Sequence, residues 1–211
     1  MIITEARRRR KHLYLLVLDG TEGPEVDVTA FDESPYRVGG SITAEQLEAL
    51  QAQSAYTRAH SKALYLLGLR DYACKELEKK LCAEAPPSVA AAVVSRLREV
   101  GLLNDETYAA RAAQSLSTYK QYPRRRVEQE LLRRGVDGET ARNAVEELEC
   151  EDFQQALAIL EKKYYNKMND RDSRQRVMAA LARRGFSYGA IRRAMEAFGA
   201  QNDLEDGEDY D

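Results

Sequence analysis

The sequence predicts a mainly α-helical protein built from tandem three-helix repeats in an elongated, curved stack, with a small β-hairpin extension at its N-terminus. The segment Leu131–Gly135 reads Leu-Leu-Arg-Arg-Gly, and fifty positions later Leu181–Gly185 reads Leu-Ala-Arg-Arg-Gly. A weaker third copy begins at Leu77, and an internal period of this length indicates one supersecondary unit used several times. The apolar residues of each copy recur at helical spacing, whereas a short stretch near the N-terminus alternates as strands do.

Composition limits the class of protein. The chain has 211 residues, of which 44% are hydrophobic and 32% are charged, with no Trp and twelve Tyr. This profile is typical of a helix-rich, highly solvated protein that has enough apolar residues for a core. No apolar run approaches the length of a membrane span and no signal peptide opens the chain, so we expect a cytoplasmic protein without membrane contact.

Charge is divided unevenly along the chain. The formal net charge is −3, and six acidic residues but no Lys or Arg lie after residue 198. Without those six residues the charge of 1–198 is +3, so a mildly basic body precedes an acidic tail. The tail, 199–211, lacks apolar periodicity, and we predict that it is disordered.

The sequence shows no catalytic or metal-binding motif. Cys74 and Cys82 are eight positions apart on one predicted helix, which matches no zinc spacing. His12 and His60 have no sequence partner that suggests a nucleophilic triad or a metal site. There is no Gly-rich phosphate loop and no paired-carboxylate constellation. We therefore expect no enzyme activity, no cofactor and no metal.

Residues 1–56 form the predicted strand-containing extension and a linking helix. The apolar run 13–18 ends in the turn signal Asp19-Gly20, and residues 26–30 alternate between apolar and polar side chains, which predicts a hairpin or small sheet. Five basic residues at 7–11 precede this run. They are either part of a solvated strand or frayed terminus, or a contact for nucleic acid or an acidic partner.

Capping residues predict where several helices begin. Thr43 with Gln46 three positions later forms a capping box for the linking helix, and Asp172 with Gln175 is the corresponding prediction in the third repeat. The predicted repeats span 57–103, 104–150 and 151–198.

Each repeat contains an interruption after its second helix. Gly135 and Gly185 stand where a left-handed backbone ends a helix, and Asp137 and Ser187 then offer a side-chain oxygen to the next one. In the first repeat the sequence Glu-Ala-Pro-Pro at 84–87 enforces the break instead.

The candidate partner-binding residues are arginines near the helix ends of the second and third repeats. They are Arg124, Arg125, Arg126, Arg133, Arg134, Arg183, Arg184, Arg192 and Arg193. A cation in the last turn of a helix stabilises the helix dipole, and that role alone could explain the Arg-Arg-Gly endings. The alternative is a basic ridge repeated once per unit, of the kind that stacked repeats use for binding.

The order of these segments resembles that of the RecX family, bacterial regulators of the RecA recombinase. Residues 102–109 read Leu-Leu-Asn-Asp-Glu-Thr-Tyr-Ala, and 123–135 read Pro-Arg-Arg-Arg-Val-Glu-Gln-Glu-Leu-Leu-Arg-Arg-Gly, similar to the central signatures of that family. Residues 63–67 resemble the opening of its first repeat. Two departures are Tyr122, where the family usually has glycine, and Lys75, where it usually has arginine.

The resemblance implies a regulatory protein that binds along the groove of the RecA filament on single-stranded DNA. It also implies inhibition of the recombinase, ATPase and co-protease activities of that filament, and we expect the protein to be a monomer.

A direct DNA-binding protein that uses its three-helix units is the competing interpretation, because such units can present a helix to the major groove. The small excess of +3 and the absence of Trp count against it. A helical scaffold for another partner is a third interpretation.

Overall fold

The computed structural model describes residues 1–165 and 170–205, and within them the chain forms three strands and ten helices. The chain divides into two compact units. The first, Met1–Asn104, contains the strands and the first four helices, and the second begins at Asp105 and contains the remaining six. The mainly helical fold class predicted from the sequence is confirmed.

The elements of the first unit are β1 (Ile3–Arg10), β2 (Leu13–Leu18), β3 (Thr21–Asp27), α1 (Val28–Glu33), α2 (Ala44–Leu69), α3 (Cys74–Leu81) and α4 (Pro87–Glu99). Those of the second unit are α5 (Asp105–Lys120), α6 (Arg124–Arg133), α7 (Gly138–Glu146), α8 (Asp152–Tyr164), α9 (Arg171–Arg184) and α10 (Tyr188–Glu205). None of the helices in these described stretches is long and apolar enough to cross a membrane.

The N-terminal extension is a three-stranded antiparallel sheet in the order β1-β2-β3, which agrees with the predicted hairpin or small sheet and has one strand more than a hairpin. The extra strand is β1, which contains most of the basic run and pairs with β2. The core side of the sheet buries Ile3, Leu16 and Val26 against Phe31 of α1. Apolar burial on one face is what gives so small a sheet a fixed register.

The alternation predicted to continue to residue 30 ends at Asp27. The carboxylate of Asp27 accepts hydrogen bonds from the backbone N–H groups of Thr29 and Ala30, which caps α1. The predicted strand therefore gives way to a helix from Val28 onward, beyond the last β2–β3 pair at Leu13 and Asp27, and the cap satisfies N–H groups in the first turn of that helix. Ser54 of α2 supports this turn, since its hydroxyl accepts the backbone N–H of Asp27 at 2.6 Å.

The predicted linking helix and the first helix of the first repeat are one continuous helix, α2. The Thr43–Gln46 capping box that opens it is confirmed, with both reciprocal hydrogen bonds present. No interruption occurs at the predicted boundary between residues 56 and 57. The inner face of α2 packs Ala59 and Ala63 on the core of the first repeat, which α3 and α4 complete with Leu77 and Leu97.

The second and third repeats bury equivalent positions. Val127 and Leu131 of α6, and Val177 and Leu181 of α9, are each at most 4% exposed. The equivalence continues in the third helix of each repeat, where Ala144 and Ala194 are buried. The recurrence of one buried pattern confirms the internal repeat.

The helix ends after these stripes also follow the prediction. Gly135 and Gly185 have φ of +91° and +101°, a backbone region that is open to glycine and strained for most side chains. Asp137 then caps α7, and the hydroxyl of Ser187 accepts the backbone N–H of Ala190 at the start of α10.

Two boundaries of the third repeat differ from the prediction. The cap of α9 is Asp170 with Ser173, two residues before the predicted pair Asp172 and Gln175, because the Asp170 carboxylate accepts the N–H of Ser173 at 2.7 Å. Helix α10 continues to Glu205, seven residues past the predicted end of the repeat at Phe198. The remainder of the predicted disordered tail, 206–211, lies outside the described residues.

Candidate functional site

The nine candidate arginines fall into two groups by exposure. Those that are half-buried are Arg124, Arg126, Arg134 and Arg184. Those that are exposed are Arg125, Arg133, Arg183, Arg192 and Arg193. All nine lie in the second compact unit, on α6, α9 and α10 or at their ends. The group to which each arginine belongs decides whether its charge is available to a partner.

Arg124 joins the start of α6 to the segment between α7 and α8. Its backbone N–H donates to Asp152 Oδ1 at 2.8 Å, and its guanidinium donates to the backbone carbonyl of Leu148. A half-buried arginine that satisfies a backbone carbonyl and the first turn of its own helix contributes to packing between the second and third repeats.

Arg126 joins the start of α6 to the end of α9. Its guanidinium stacks on the ring of Tyr122 at 3.9 Å and donates to the carbonyl of Arg184 at 3.2 Å. Gly185 follows that carbonyl, and a Cβ atom placed on it would lie 3.4 Å from Cβ of Arg126 and 3.5 Å from Cγ of Pro123. The departure from the family pattern at Tyr122 therefore supplies the aromatic face on which Arg126 rests.

Glu130 holds both arginines at the end of α6. Arg133 donates to its two carboxylate oxygens at 2.9 and 2.7 Å, and Arg134 donates to Oε1 at 3.0 Å. Arg134 also donates to the hydroxyl of the buried Tyr108 at 3.2 Å. The hydrogen bond from Arg133, followed by that from Arg134, lowers the pKa of Glu130 from 4.5 to about 2. The sequence contained this signal, because Glu130 stands three and four residues before the two arginines.

The third repeat lacks this carboxylate. Ala180 occupies the position fifty residues after Glu130. Within the described part of the chain, Arg183 forms no hydrogen bond or ion pair, and Nη1 of Arg184 is buried without a hydrogen-bond partner. The end of α9 therefore carries two cations, the exposed Arg183 and the half-buried Arg184, with no acidic residue on the preceding turn.

Helix α10 places two further arginines in solvent. Nε of Arg192 lies 3.5 Å from a carboxylate oxygen of Glu196, and Nη1 of Arg193 lies 3.8 Å from one of Glu151. Arg193 also stacks on the ring of Phe153 at 4.1 Å. Exposed pairs at these distances contribute about 0–1 kcal/mol, so a partner can displace them at little cost.

Arg125 and Arg183 are the clearest candidates for external contact. Both are exposed, and neither makes a hydrogen bond or ion pair with another described residue. Arg133 is similar in exposure, at 74% for its side chain, but shares Glu130 with Arg134. Guanidinium groups of this kind can donate two parallel hydrogen bonds to a phosphate or a carboxylate. No group of three metal-ligating side chains was found among residues 1–165 and 170–205.

Tandem three-helix units with basic helix ends define the class of this molecule, a helical repeat protein. Two family models match it, described as the second three-helix domain of RecX, over residues 104–145, and the third three-helix domain of RecX, over residues 149–195. The chain belongs to the RecX family.

The curated relatives cover most of the chain. It is 30% identical over 155 residues to the Regulatory protein RecX of Mycolicibacterium vanbaalenii, which covers 69% of this chain and 84% of the relative. It is 28% identical over 210 residues to that of Bacillus subtilis, with 95% and 78% covered. The Regulatory protein RecX of Clostridioides difficile is 28% identical over 161 residues, with 74% and 76% covered.

Two solved structures have a similar fold. A crystal structure of regulatory protein RecX aligns with a TM-score of 0.67 at 20% identity and covers 92% of this chain and 98% of its own. The crystal structure of RecX from Lactobacillus salivarius aligns with a TM-score of 0.62 at 19% identity, with 69% and 97% covered. These similarities support the fold described above.

Proposed function

We propose that this protein binds the RecA filament on single-stranded DNA and negatively modulates its recombinase, ATPase and co-protease activities in DNA repair. Membership of the RecX family supports a regulatory role, because the relatives are named regulatory proteins. The family resemblance supplies RecA as the partner. The protein acts as a cytoplasmic monomer, and its effect comes from binding, without a catalytic step of its own.

The observation that carries the proposal is the division of the arginines into two groups. The helix dipole favours a cation in the last turn of a helix, but it does not favour the exposed Arg125 in the first turn of α6, and at the end of α9 Arg184 already supplies a cation beside the exposed Arg183. A nucleoprotein filament offers DNA phosphates and protein carboxylates side by side, and arginine binds both with two hydrogen bonds. We therefore assign filament contact to Arg125, Arg133 and Arg183, with Arg192 and Arg193 as supporting contacts.

The half-buried arginines have a different role in this proposal. Arg124, Arg126 and Arg134 hold α6 against its neighbours through the bonds described above. Their contribution to binding is to fix the direction in which the exposed arginines project. Preorganised side chains lose less conformational entropy on binding, which raises affinity.

The test compares three partners for the same labelled protein: RecA filaments on single-stranded DNA, bare single-stranded DNA, and RecA without DNA. Fluorescence anisotropy at two salt concentrations gives the affinities, and ATP hydrolysis by the filament gives the regulatory effect. We expect the filament to bind most tightly, with a clear salt dependence, and its ATP hydrolysis to fall as the protein is added. Equal or tighter binding to bare DNA would favour the direct DNA-binding interpretation instead. Absence of binding to any filament would refute the proposed partner.

A further inference from the structure

The basic run at residues 7–11 lies at one corner of the N-terminal sheet, in the first compact unit. Strand β1 is an edge strand, since the sheet order is β1-β2-β3. The strand reaches Arg10, and Lys11 and His12 form the turn into β2. Arg8, Arg9, Arg10 and Lys11 are all exposed. We call these four residues the hairpin cluster.

Glu5 and Glu22 pair with Arg7, the residue just before the hairpin cluster, and not with the side chains of the cluster itself. Arg7 pairs with Glu5 at 2.8 Å and with Glu22 at 3.7 Å. In the strand register Arg7 of β1 pairs with Leu15 of β2, and Leu15 pairs in turn with Glu25 of β3. By contrast, the side chains of Arg9 and Arg10 form no ion pair or hydrogen bond with any described residue.

The backbone holds the cluster in a fixed arrangement. The register of β1 against β2 shifts between Arg8 and Arg10, so Arg9 is the extra residue of a bulge. Arg8 Nη2 donates to the carbonyl of Lys11 at 3.0 Å, and Val28 N–H donates to the carbonyl of His12 at 3.1 Å, which anchors the turn. The hydrogen-bonded turn and the bulge therefore fix the backbone positions from which the side chains of the hairpin cluster extend.

We propose that the hairpin cluster is a second binding site, for the phosphate backbone of duplex DNA, separate from the arginines of α6, α9 and α10. Adjacent uncompensated cations attract a phosphodiester backbone through release of its counterions, without reading its sequence. Single-strand binders add aromatic side chains on which successive bases stack. Tyr14, opposite Arg8 in the register, instead packs edge-on against Phe31 at 5.8 Å, in the core.

This proposal does not rest on filament binding. A bulge and cations on an edge strand also protect a sheet from pairing with another chain, and that role requires no ligand. The two roles differ in one measurable respect, because edge protection predicts no salt-dependent affinity for DNA.

The test measures binding of the full chain to a fluorescent 20-base-pair duplex across salt concentrations, in the absence of RecA. The variant changes Arg9, Arg10 and Lys11 to Gln, and retains Arg8 because its guanidinium binds the turn. Its control changes Arg58, Lys79 and Arg98 to Gln, which removes the same charge from exposed positions on α2, α3 and α4. Loss of three phosphate contacts should make the slope of log K against log salt shallower by about 3 and weaken binding at least about tenfold at 50 mM salt. The control variant should bind as the wild type does.

Two further arms keep the test decisive. A variant with Arg9→Lys and Arg10→Lys keeps the charge and should retain binding, since contact with phosphate is electrostatic. In the wild type, addition of duplex should shift the backbone amide resonances of residues 8–12, a measurement that does not depend on the folding of any variant. Four results would each overturn the proposal. They are unchanged binding by the folded Gln variant, amide resonances of residues 8–12 that do not shift when duplex is added, loss of binding in the Lys variant, and tighter binding of a 20-nucleotide single strand.

Discussion

Glu130 is the residue whose replacement gives the most specific prediction about stability. Glu130→Gln keeps the size of the side chain and removes the charge that holds Arg133 and Arg134. The pKa of Glu130 lies near 2 instead of 4.5, and one pKa unit corresponds to about 1.4 kcal/mol, which sets an upper limit of about 3 kcal/mol. The side chain of Arg133 is 74% exposed, so solvent screens much of this interaction. We therefore expect a loss of about 1–2 kcal/mol at pH 7.

The same residue predicts a pH dependence with a defined sign. The pKa of Glu130 is lower in the folded state than in the unfolded chain, so its contribution is fully present above about pH 5. That contribution is lost as the pH falls toward 2 and the carboxylate becomes protonated. The difference in unfolding free energy between wild type and Glu130→Gln should therefore shrink between about pH 5 and pH 2.

Urea denaturation followed by circular dichroism across this pH range measures the difference directly. The control is Glu128→Gln on the same helix, because Glu128 makes no ion pair or hydrogen bond with a described residue. Equal stability of Glu130→Gln and Glu128→Gln at pH 7 would refute the reasoning, as would a difference that stays constant down to pH 2.

The remaining predictions concern packing and helix ends. Leu131→Ala and Leu181→Ala should each lower the free energy of unfolding by about 2–5 kcal/mol, because both side chains are fully buried, and losses near zero in urea denaturation would mean that the repeat stripe is not core. Gly185→Ala should cost more than Gly101→Ala, since both glycines have positive φ but only the added Cβ at 185 would touch Arg126 and Pro123, and equal melting temperatures would contradict this. An Arg126→Ala variant should remove the stack on Tyr122 and the bond to the Arg184 carbonyl, and thus be less stable than Arg125→Ala by thermal denaturation.

The helical repeats could be predicted because several local signals agree at the same positions. The apolar spacing of Val127 and Leu131 defines the buried face, and Gly135 with Asp137 marks where one helix ends and the next begins. Each signal acts within a few residues, so sequence alone reveals it. The predicted cap of α9 lies two residues after the observed one. Asp172 with Gln175 matches the usual capping-box pattern, whereas in the observed cap the hydroxyl of Ser173 takes the place of the usual Glu or Gln side chain and accepts the backbone N–H of Asp170.

The sheet was less predictable, because strand pairing depends on distant residues. The run of arginines in β1 has no apolar alternation, and it forms a strand because β2 offers a partner that continues to Leu18. At Asp27, a side-chain cap ended the alternation that the apolar pattern alone would have continued.

The sequence predicts which arginines form the candidate site, but not which of them are exposed and which are bonded within the protein. The sequence identified nine arginines, yet it could not separate Arg124 and Arg126, which bond to backbone carbonyls 24 and 58 positions away, from Arg125, which does not. Those long-range bonds exist only once the second and third repeats are packed together. By contrast, the position of Glu130 three and four residues before Arg133 and Arg134 is a local signal, and it indicates that its carboxylate binds both arginines.

The measurement that tests the central claim most directly is the affinity of one variant for RecA filaments on single-stranded DNA. The variant changes the exposed residues Arg125, Arg133 and Arg183 to Gln. Its control changes the exposed cations Lys162, Lys163 and Arg171 of α8 and α9 to Gln, with the same loss of charge.

Both variants should unfold at a urea concentration close to that of the wild type. The arginine variant should lose at least about tenfold in filament affinity, since charged hydrogen bonds contribute about 1.5–3 kcal/mol each, while the control variant should lose little. Equal affinity of the arginine variant and its control for the filament would contradict the assignment of these arginines to the binding surface.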